Sequence, residues 1–290
     1  MMRALVMNNV TKTARAPGIF RRSRAAKPGE IYGVPGQGDS ALISFIVVFG
    51  LIAFWWLLTT FGFIKPLFLP SPQAIVSKFI HIVTDGFTGS SFLEHLQIST
   101  FRVFSAFALA CLVGIPLGLA MGMSPIARGI FDPPIEFYRP IPPLAYLPLM
   151  IIWFGIGETS KILLIFLSVF APITLGARSG VKSAAIEQIH AAYSFGATRW
   201  QVISQIIFPS ALPEIITSMR IGIGFGWTTL VAAEMVAATE GLGYMVLSAA
   251  QFLQTSTVIV GIIVIAAIAY AFDFFMRFLE RKLVPWKGRA

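Results

Sequence analysis

The chain has 290 residues, of which 56% are hydrophobic and only 12% charged, with a formal net charge of +9. An ordinary soluble domain carries about 25% charged residues, so this chain cannot cover a water-facing surface of normal polarity. The hydrophobicity excludes disorder as the main state and the single cysteine, Cys111, excludes a disulfide scaffold, which leaves an integral membrane protein.

Residues 1–40 form a basic tail rich in Pro and Gly, expected to be exposed and poorly ordered. A span needs about 20 apolar residues to cross a hydrocarbon core about 30 Å thick. Six stretches qualify: 41–63, 98–123, 129–154, 160–177, 211–236 and 256–276. Ser71-Pro72 and Ser124-Pro125 have the form of an N-cap followed by a first-turn proline, which predicts helix starts after the first and second spans. Residues 178–210 read as an amphipathic helical segment between spans four and five. Sixteen of the 22 Lys and Arg fall in the N-terminal tail, the segments after spans two and four, and the C-terminal tail. The positive-inside rule puts those regions, and hence both termini, in the cytoplasm. The basic excess is then a topology signal, and nucleic acid drops out as a partner.

Chemistry is sparse. His81, His95 and His190 have no metal-ligand spacing, no nucleophile elbow is present, and no Gly-Lys dipeptide exists to make a phosphate-binding loop. Neither catalytic residues nor a metal site is therefore expected. Gly222, Gly224 and Gly226 lie inside an apolar span and predict close helix packing rather than a dinucleotide site.

Pro140, Pro142, Pro143 and Pro148 predict a broken third span. The carbonyls freed by the break must be buried or line a water-filled path, and the alternative is a kink held by packing. Ionisable groups inside spans are costly and face interiors. Glu136 and Arg139 are placed to pair at i, i+3. Arg220 and Glu234 share one face of span five about four turns apart, and Asp273 sits near the end of span six. Arg139, Arg220 and Glu234 are candidates for lining a path, with structural ion pairing as the alternative.

The most informative run is His190-Ala191-Ala192-Tyr193-Ser194-Phe195-Gly196, followed after nine residues by Ile206-Ile207-Phe208-Pro209. Two small alanines allow a partner to approach closely, Gly196 permits a sharp turn, and Pro209 is expected to end the second short helix. The run resembles the EAA signature of ABC-importer permeases, with Ala191, Ala192, Gly196, Ile206 and Pro209 matching. His190 stands where Glu is usual, and Phe208 where Leu is usual. The runs Glu136–Leu149, Trp153–Lys161, Thr229–Glu234 and Gly241–Gly243 are similar to the nitrate/sulfonate/taurine branch of those permeases, the taurine permeases above all.

The resemblance implies an all-α membrane protein of about six transmembrane helices with the type I, MetI-like importer fold. Its core would span 95–280, preceded by a first helix and external connection over 41–94 and followed by a tail over 281–290. The coupling loop, 183–209, would present His190, Ala191, Ala192, Gly196, Ile206 and Pro209 to an ATPase. The implied assembly is a homodimer in the bacterial inner membrane with two ATP-binding cassette subunits, which carry ATP and Mg, and an external substrate-binding protein. This chain would bind no cofactor. The substrate would be taurine or another small solute such as nitrate or an alkanesulfonate, with Arg139, Tyr146, Arg220 and Glu234 as path candidates. A secondary transporter or channel is the alternative class.

Overall fold

The computed structural model describes residues 41–286, so the tail over 1–40 and the basic residues Lys287 and Arg289 lie outside the described residues. Contacts divide the chain after Leu58 into two units. The described part of the first is most of helix α1 (Ala41–Thr60), which has no charged residue and is apolar on every side. A helix hydrophobic all round is the signature of a membrane span.

The second unit opens with the two helix starts expected from serine and proline. Ser71 Oγ accepts from the Ala74 N–H at 3.3 Å and Pro72 begins α2 (Pro72–Asp85). Helix α3 (Phe92–Met123) begins with a capping box between Ser91 and Glu94. Ser124 caps α4 (Pro125–Tyr138) in the same way through the Ala127 N–H. A single 3-10 turn, Pro143–Tyr146, leads to the short α5 (Leu147–Phe154) and then to α6 (Glu158–Val181). Beyond it come α7 (Ile186–Ser194), α8 (Arg199–Val202), a π turn over Ile203–Ile207, α9 (Phe208–Ala237), α10 (Leu242–Gln251) and α11 (Thr255–Leu283).

Helix α6 is the centre of the packing. Gly114, Gly118 and Gly122 of α3 meet Thr174, Ala177 and Val181 of α6 in turn, so the two helices run parallel. On the other side, Gly180 meets Ala211 of α9, while Gly222 and Gly226 of α9 meet Val169, so α6 and α9 are antiparallel. A Cβ on Gly180 would lie 2.8 Å from the Ala211 carbonyl oxygen, closer than real Cβ contacts. Small residues at such spacing let helix backbones touch, which is how helices associate where lipid is as apolar as the side chains. Helix α11 closes the body through Phe272, whose ring lies 5.1 Å and 5.5 Å from those of Phe104 and Phe107.

Because α3 and α6 are parallel, the chain between them must recross the same thickness. It does so as α4, a break, and the apolar Pro143–Phe154 segment, so five described helices are long and apolar enough to span and the sixth crossing is divided. The proline-broken third span expected over 129–154 is found in this divided form. Pro140, Pro142 and Pro143 cannot donate to a helix ladder, whereas Pro148 sits in the first turn of α5, where no donor is needed. Pro209 is corrected. It does not end a helix, because Arg199–Ala237 runs as one continuous 39-residue helix. The irregularity is absorbed one step earlier, where the Phe208 N–H reaches back five residues to the Ile203 carbonyl.

These contacts predict that Gly118→Leu disrupts the α3–α6 seam, lowering stability by about 1–3 kcal/mol or more as overpacking does. Gly224→Leu has open space and should leave it unchanged. Thermal unfolding of the detergent-solubilised protein, followed by size-exclusion profile, checks both.

Candidate functional site

The α7–α8 hairpin is built by local sequence. Helix α7 has no buried residue. Its end is a Schellman motif: the Gly196 N–H donates to the Tyr193 carbonyl at 2.9 Å and the Ala197 N–H to the Ala192 carbonyl at 3.0 Å. Gly196 has φ +84°, a conformation glycine adopts without penalty. Two residues on, Thr198 and Gln201 form a capping box, with the Thr198 N–H donating to Gln201 Oε1 at 2.8 Å. The chain thus turns from α7 into α8 over the four residues 195–198. His190 and Ala191 are exposed, Ala192, Ile206 and Pro209 are half-buried, and Val202 and Ile207 root the second helix in the body. Around this turn Phe195 is 91% exposed and Trp200 74% exposed, a large apolar surface for two aromatics.

The broken crossing borders a cavity of about 440 Å³. Arg139 and Tyr146 line it with Tyr138, Ser168, Pro172 and Phe225. Arg139 Nη1 reaches Glu136 Oε2 at 3.4 Å, the i, i+3 pair expected from the sequence, and both side chains are about half exposed. Glu136 is also approached by Arg178 of α6 at 3.8 Å, and Arg178 pairs with Asp132.

The other two path candidates are not brought to this cavity. Arg220 bridges α9 to α11, with Nε 3.0 Å from Asp273 Oδ1 and Nη1 3.1 Å from Glu280 Oε2. Asp273 also holds Arg277 at 2.7 Å. Glu234 has no exposed surface. Its Oε1 accepts from Ser99 Oγ at 2.7 Å and Arg102 Nη1 at 2.7 Å, and its Oε2 from the Gly243 N–H at 2.8 Å. Shared helical face did not mean shared partner.

Around Glu234 lies a cluster that sequence reasoning missed. Arg102, 2% exposed, forks onto Glu158 at 2.6 and 2.7 Å and donates to the Glu240 carbonyl at 2.8 Å. Lys161 adds a second cation, 2.8 Å from Glu158 Oε1. Two cations and two carboxylates balance, as buried charge requires. The same face of α3 caps α10: the Leu242 N–H donates to Ser99 Oγ at 2.8 Å and the Gly241 N–H to His95 Nδ1 at 3.0 Å. The available signal was the polar series 95, 99, 102 along one face of an apolar helix, where such groups are costly unless partnered.

Apolar helices packed through glycine seams, a proline-broken crossing and a rigid hairpin projecting beyond them define a multi-pass membrane permease. The chain belongs to the family described as binding-protein-dependent transport system inner membrane component, whose model matches residues 114–285. It is 55% identical over 241 residues to the taurine transport system permease protein TauC of Escherichia coli K12, covering 83% of this chain and 88% of that one. It is 36% identical over 238 residues to the putative aliphatic sulfonates transport permease protein SsuC of Bacillus subtilis 168, covering 82% and 85%. It is 31% identical over 222 residues to the nitrate import permease protein NrtB of Synechocystis, covering 75% and 81%. A chain of the MetNI methionine ABC transporter superposes with a TM-score of 0.57 at 17% identity, covering 66% of this chain and 95% of that chain, which establishes the MetI-like fold.

Removing one partner from a buried ion pair leaves the other uncompensated, at a cost of about 3–5 kcal/mol. Arg102→Met is therefore expected to lower thermal stability strongly. A cycle combining it with Glu234→Gln should give a coupling energy of about 0.5–3 kcal/mol. Additive losses in the unfolding assay would mean the two groups act independently.

Proposed function

We propose that this chain is the permease subunit of an ATP-driven importer for taurine or a closely related small sulfonate. The observation that carries the reading is the 55% identity to a taurine permease over 83% of this chain. The sulfonate and nitrate permeases among the relatives support the broader class of small oxyanion solutes.

In this reading both termini and the α7–α8 hairpin face the cytoplasm. Two copies of the chain assemble, and each hairpin docks in a groove of an ATPase subunit, which binds ATP and Mg and carries out hydrolysis. The small face of Ala191 and Ala192 allows close approach, while exposed Phe195 and Trp200 supply apolar area. The Schellman and capping-box bonds keep the hairpin rigid, so a push on its tip reaches α9 through the continuous helix that starts at Arg199. An external binding protein delivers substrate, and the body alternates between inward- and outward-facing states.

Along the path, the cavity beside the broken crossing offers a cation, Arg139, and a hydroxyl, Tyr146, to a passing sulfonate. A guanidinium suits that role because its planar fork matches an oxyanion. Arg220 and Glu234 serve instead as braces between helices, since each is bonded across helices and neither lines that cavity.

Reconstitution with the partner ATPase and binding protein in liposomes should give ATP-dependent uptake of labelled taurine. Ala191→Glu or Gly196→Glu should abolish co-purification of the ATPase and uptake together. Neither position meets packed neighbours, so the body of the permease should still fold; a side chain at Gly196 also strains the φ +84° turn, so Ala191→Glu is the variant that tests docking alone. Retained ATPase binding in both variants would remove the docking assignment. Uptake of nitrate without taurine would move the substrate to the other branch. For orientation, Phe195→Cys in a Cys111→Ser background should react with an impermeant maleimide only from the cytoplasmic side.

A further inference from the structure

The cavity beside the broken crossing lies at mid-depth in the body. Its lining from α6 runs from Leu167 to Leu175, the middle of that helix, and Ile221 and Phe225 come from the middle of α9. The charged side chain on its wall is Arg139, at the end of α4 where the proline break begins.

The Arg139 guanidinium has donors to spare. Arginine carries five N–H donors in a planar fork. Nη1 donates to Glu136 Oε2 at 3.4 Å, and among the described residues no other group accepts from it. That bond is long for a charge-assisted one, which is ordinarily about 2.7–2.9 Å. Both side chains are also about half exposed, so a better partner can open the pair.

Glu136 belongs to a longer chain of charges. Its second oxygen, Oε1, lies 3.8 Å from Arg178 Nη2 of α6, and Arg178 is bonded in turn to Asp132, one turn earlier in α4. Arg139, Glu136, Arg178 and Asp132 thus alternate in sign, and their formal charges cancel.

That balance decides what kind of solute the cavity accepts. Uncompensated charge at membrane depth is costly. A lone oxyanion on Arg139 would stand beside the Glu136 carboxylate and add a negative charge with no counterpart. Such a like-charge contact selects against the wrong ligand. A solute that carries an ammonium as well as an oxyanion brings no net charge. Its oxyanion takes the spare donors of Arg139, and its ammonium takes the carboxylate that Arg139 releases. Each ion of the opened pair then regains a partner of opposite sign. In taurine a two-carbon link separates the two groups. Glu136 Oε2 stands 3.4 Å from the guanidinium that would hold the sulfonate, so one molecule can span both side chains.

We infer that Glu136 is a specificity-determining residue of this cavity: with Arg139 it receives a small aminosulfonate zwitterion, and it turns away oxyanions that lack the ammonium. This deepens the import reading above and rests on it, since it takes the cavity as part of the path. It gives the permease its own means of separating taurine from nitrate and plain alkanesulfonates.

The test reads the permease apart from the binding protein, whose own selectivity would mask the effect. The full chain is purified with its ATPase, and bound labelled taurine is displaced by two unlabelled competitors. One is taurine. The other is isethionate, in which a hydroxyl replaces the ammonium and the sulfonate is unchanged. Wild type should need several-fold more isethionate than taurine for equal displacement. Glu136→Gln should bring that ratio down several-fold toward one, because the group that attracts the ammonium and repels the anion is gone. Arg139→Gln should weaken binding of both competitors several-fold. A purely structural Glu136 would shift both competitors together and leave their ratio alone. A Gln variant that keeps the wild-type ratio, or a wild type with no preference, overturns the assignment.

Should the Gln variant not assemble, NMR of the wild-type complex with isotope-labelled taurine decides. The taurine nitrogen must contact a glutamate side-chain carboxyl, and Glu136→Asp must move that contact to an aspartate. Contact with aromatic rings alone rejects the proposal. If wild type takes up taurine yet binds none at the permease, the subsite fails and the import reading stands. If it takes up none, the import reading fails, while the competition ratio still decides for or against Glu136.

Discussion

Helix α6 touches a neighbour backbone on each side, and the rest of the body depends on that double contact. In lipid, no hydrophobic force drives helices together, so the attraction must come from close packing and polar bonds. Gly114, Gly118 and Gly122 supply one seam and Gly180, Gly222 and Gly226 the other. Once α3 and α6 lie parallel, the intervening chain has to recross the bilayer, and this is what turns a proline-rich stretch into a divided crossing with a cavity beside it.

Polar bonds then act where the glycine seams end. At one end, Arg102 joins α3, α6, α9 and the α10 turn through Glu158, Glu234 and the Glu240 carbonyl. Nearer the other end, Arg178 ties α6 to α4 and Arg220 ties α9 to α11. Such pairs add little net energy, because desolvation opposes the Coulomb attraction. Their value is geometric: a bidentate arginine fixes the register of helices whose apolar faces would tolerate sliding. A body fixed at both ends suits a protein that must move as blocks rather than deform.

The hairpin differs in kind from the body. Its shape comes from the Schellman and capping-box bonds within Ile186–Val202, so it keeps its form while exposing Phe195 and Trp200. Its continuity with α9 through the π turn gives one lever from tip to membrane. The divided crossing has the opposite character, with prolines that prevent a continuous helix and an arginine whose nearest partner is its own i−3 neighbour. Rigid hairpin and interrupted crossing are the two departures from regular helix packing, and the proposed function assigns coupling to one and passage to the other.

Much of this was legible in residues alone. The span periods, the Ser71 and Ser124 caps, the Gly196 turn and the proline break follow from local rules about donors, φ angles and apolar length, and they hold whatever the neighbours are. The Thr198–Gln201 capping box and the Gly114-x3-Gly118-x3-Gly122 stripe were equally local and could have been read. Pairing across helices was not. Glu234 and Arg220 lie on one face of one helix, yet each bonds to a different partner 53 to 135 residues away. Pro209 promised a helix end, and a π turn let the helix continue. The sequence by itself determined which segments are helices, where they start and which one breaks, because those choices rest on neighbours a few residues away. Only the tertiary structure decided which charges meet and which line a cavity, because several partners are chemically equivalent and helix register alone selects among them.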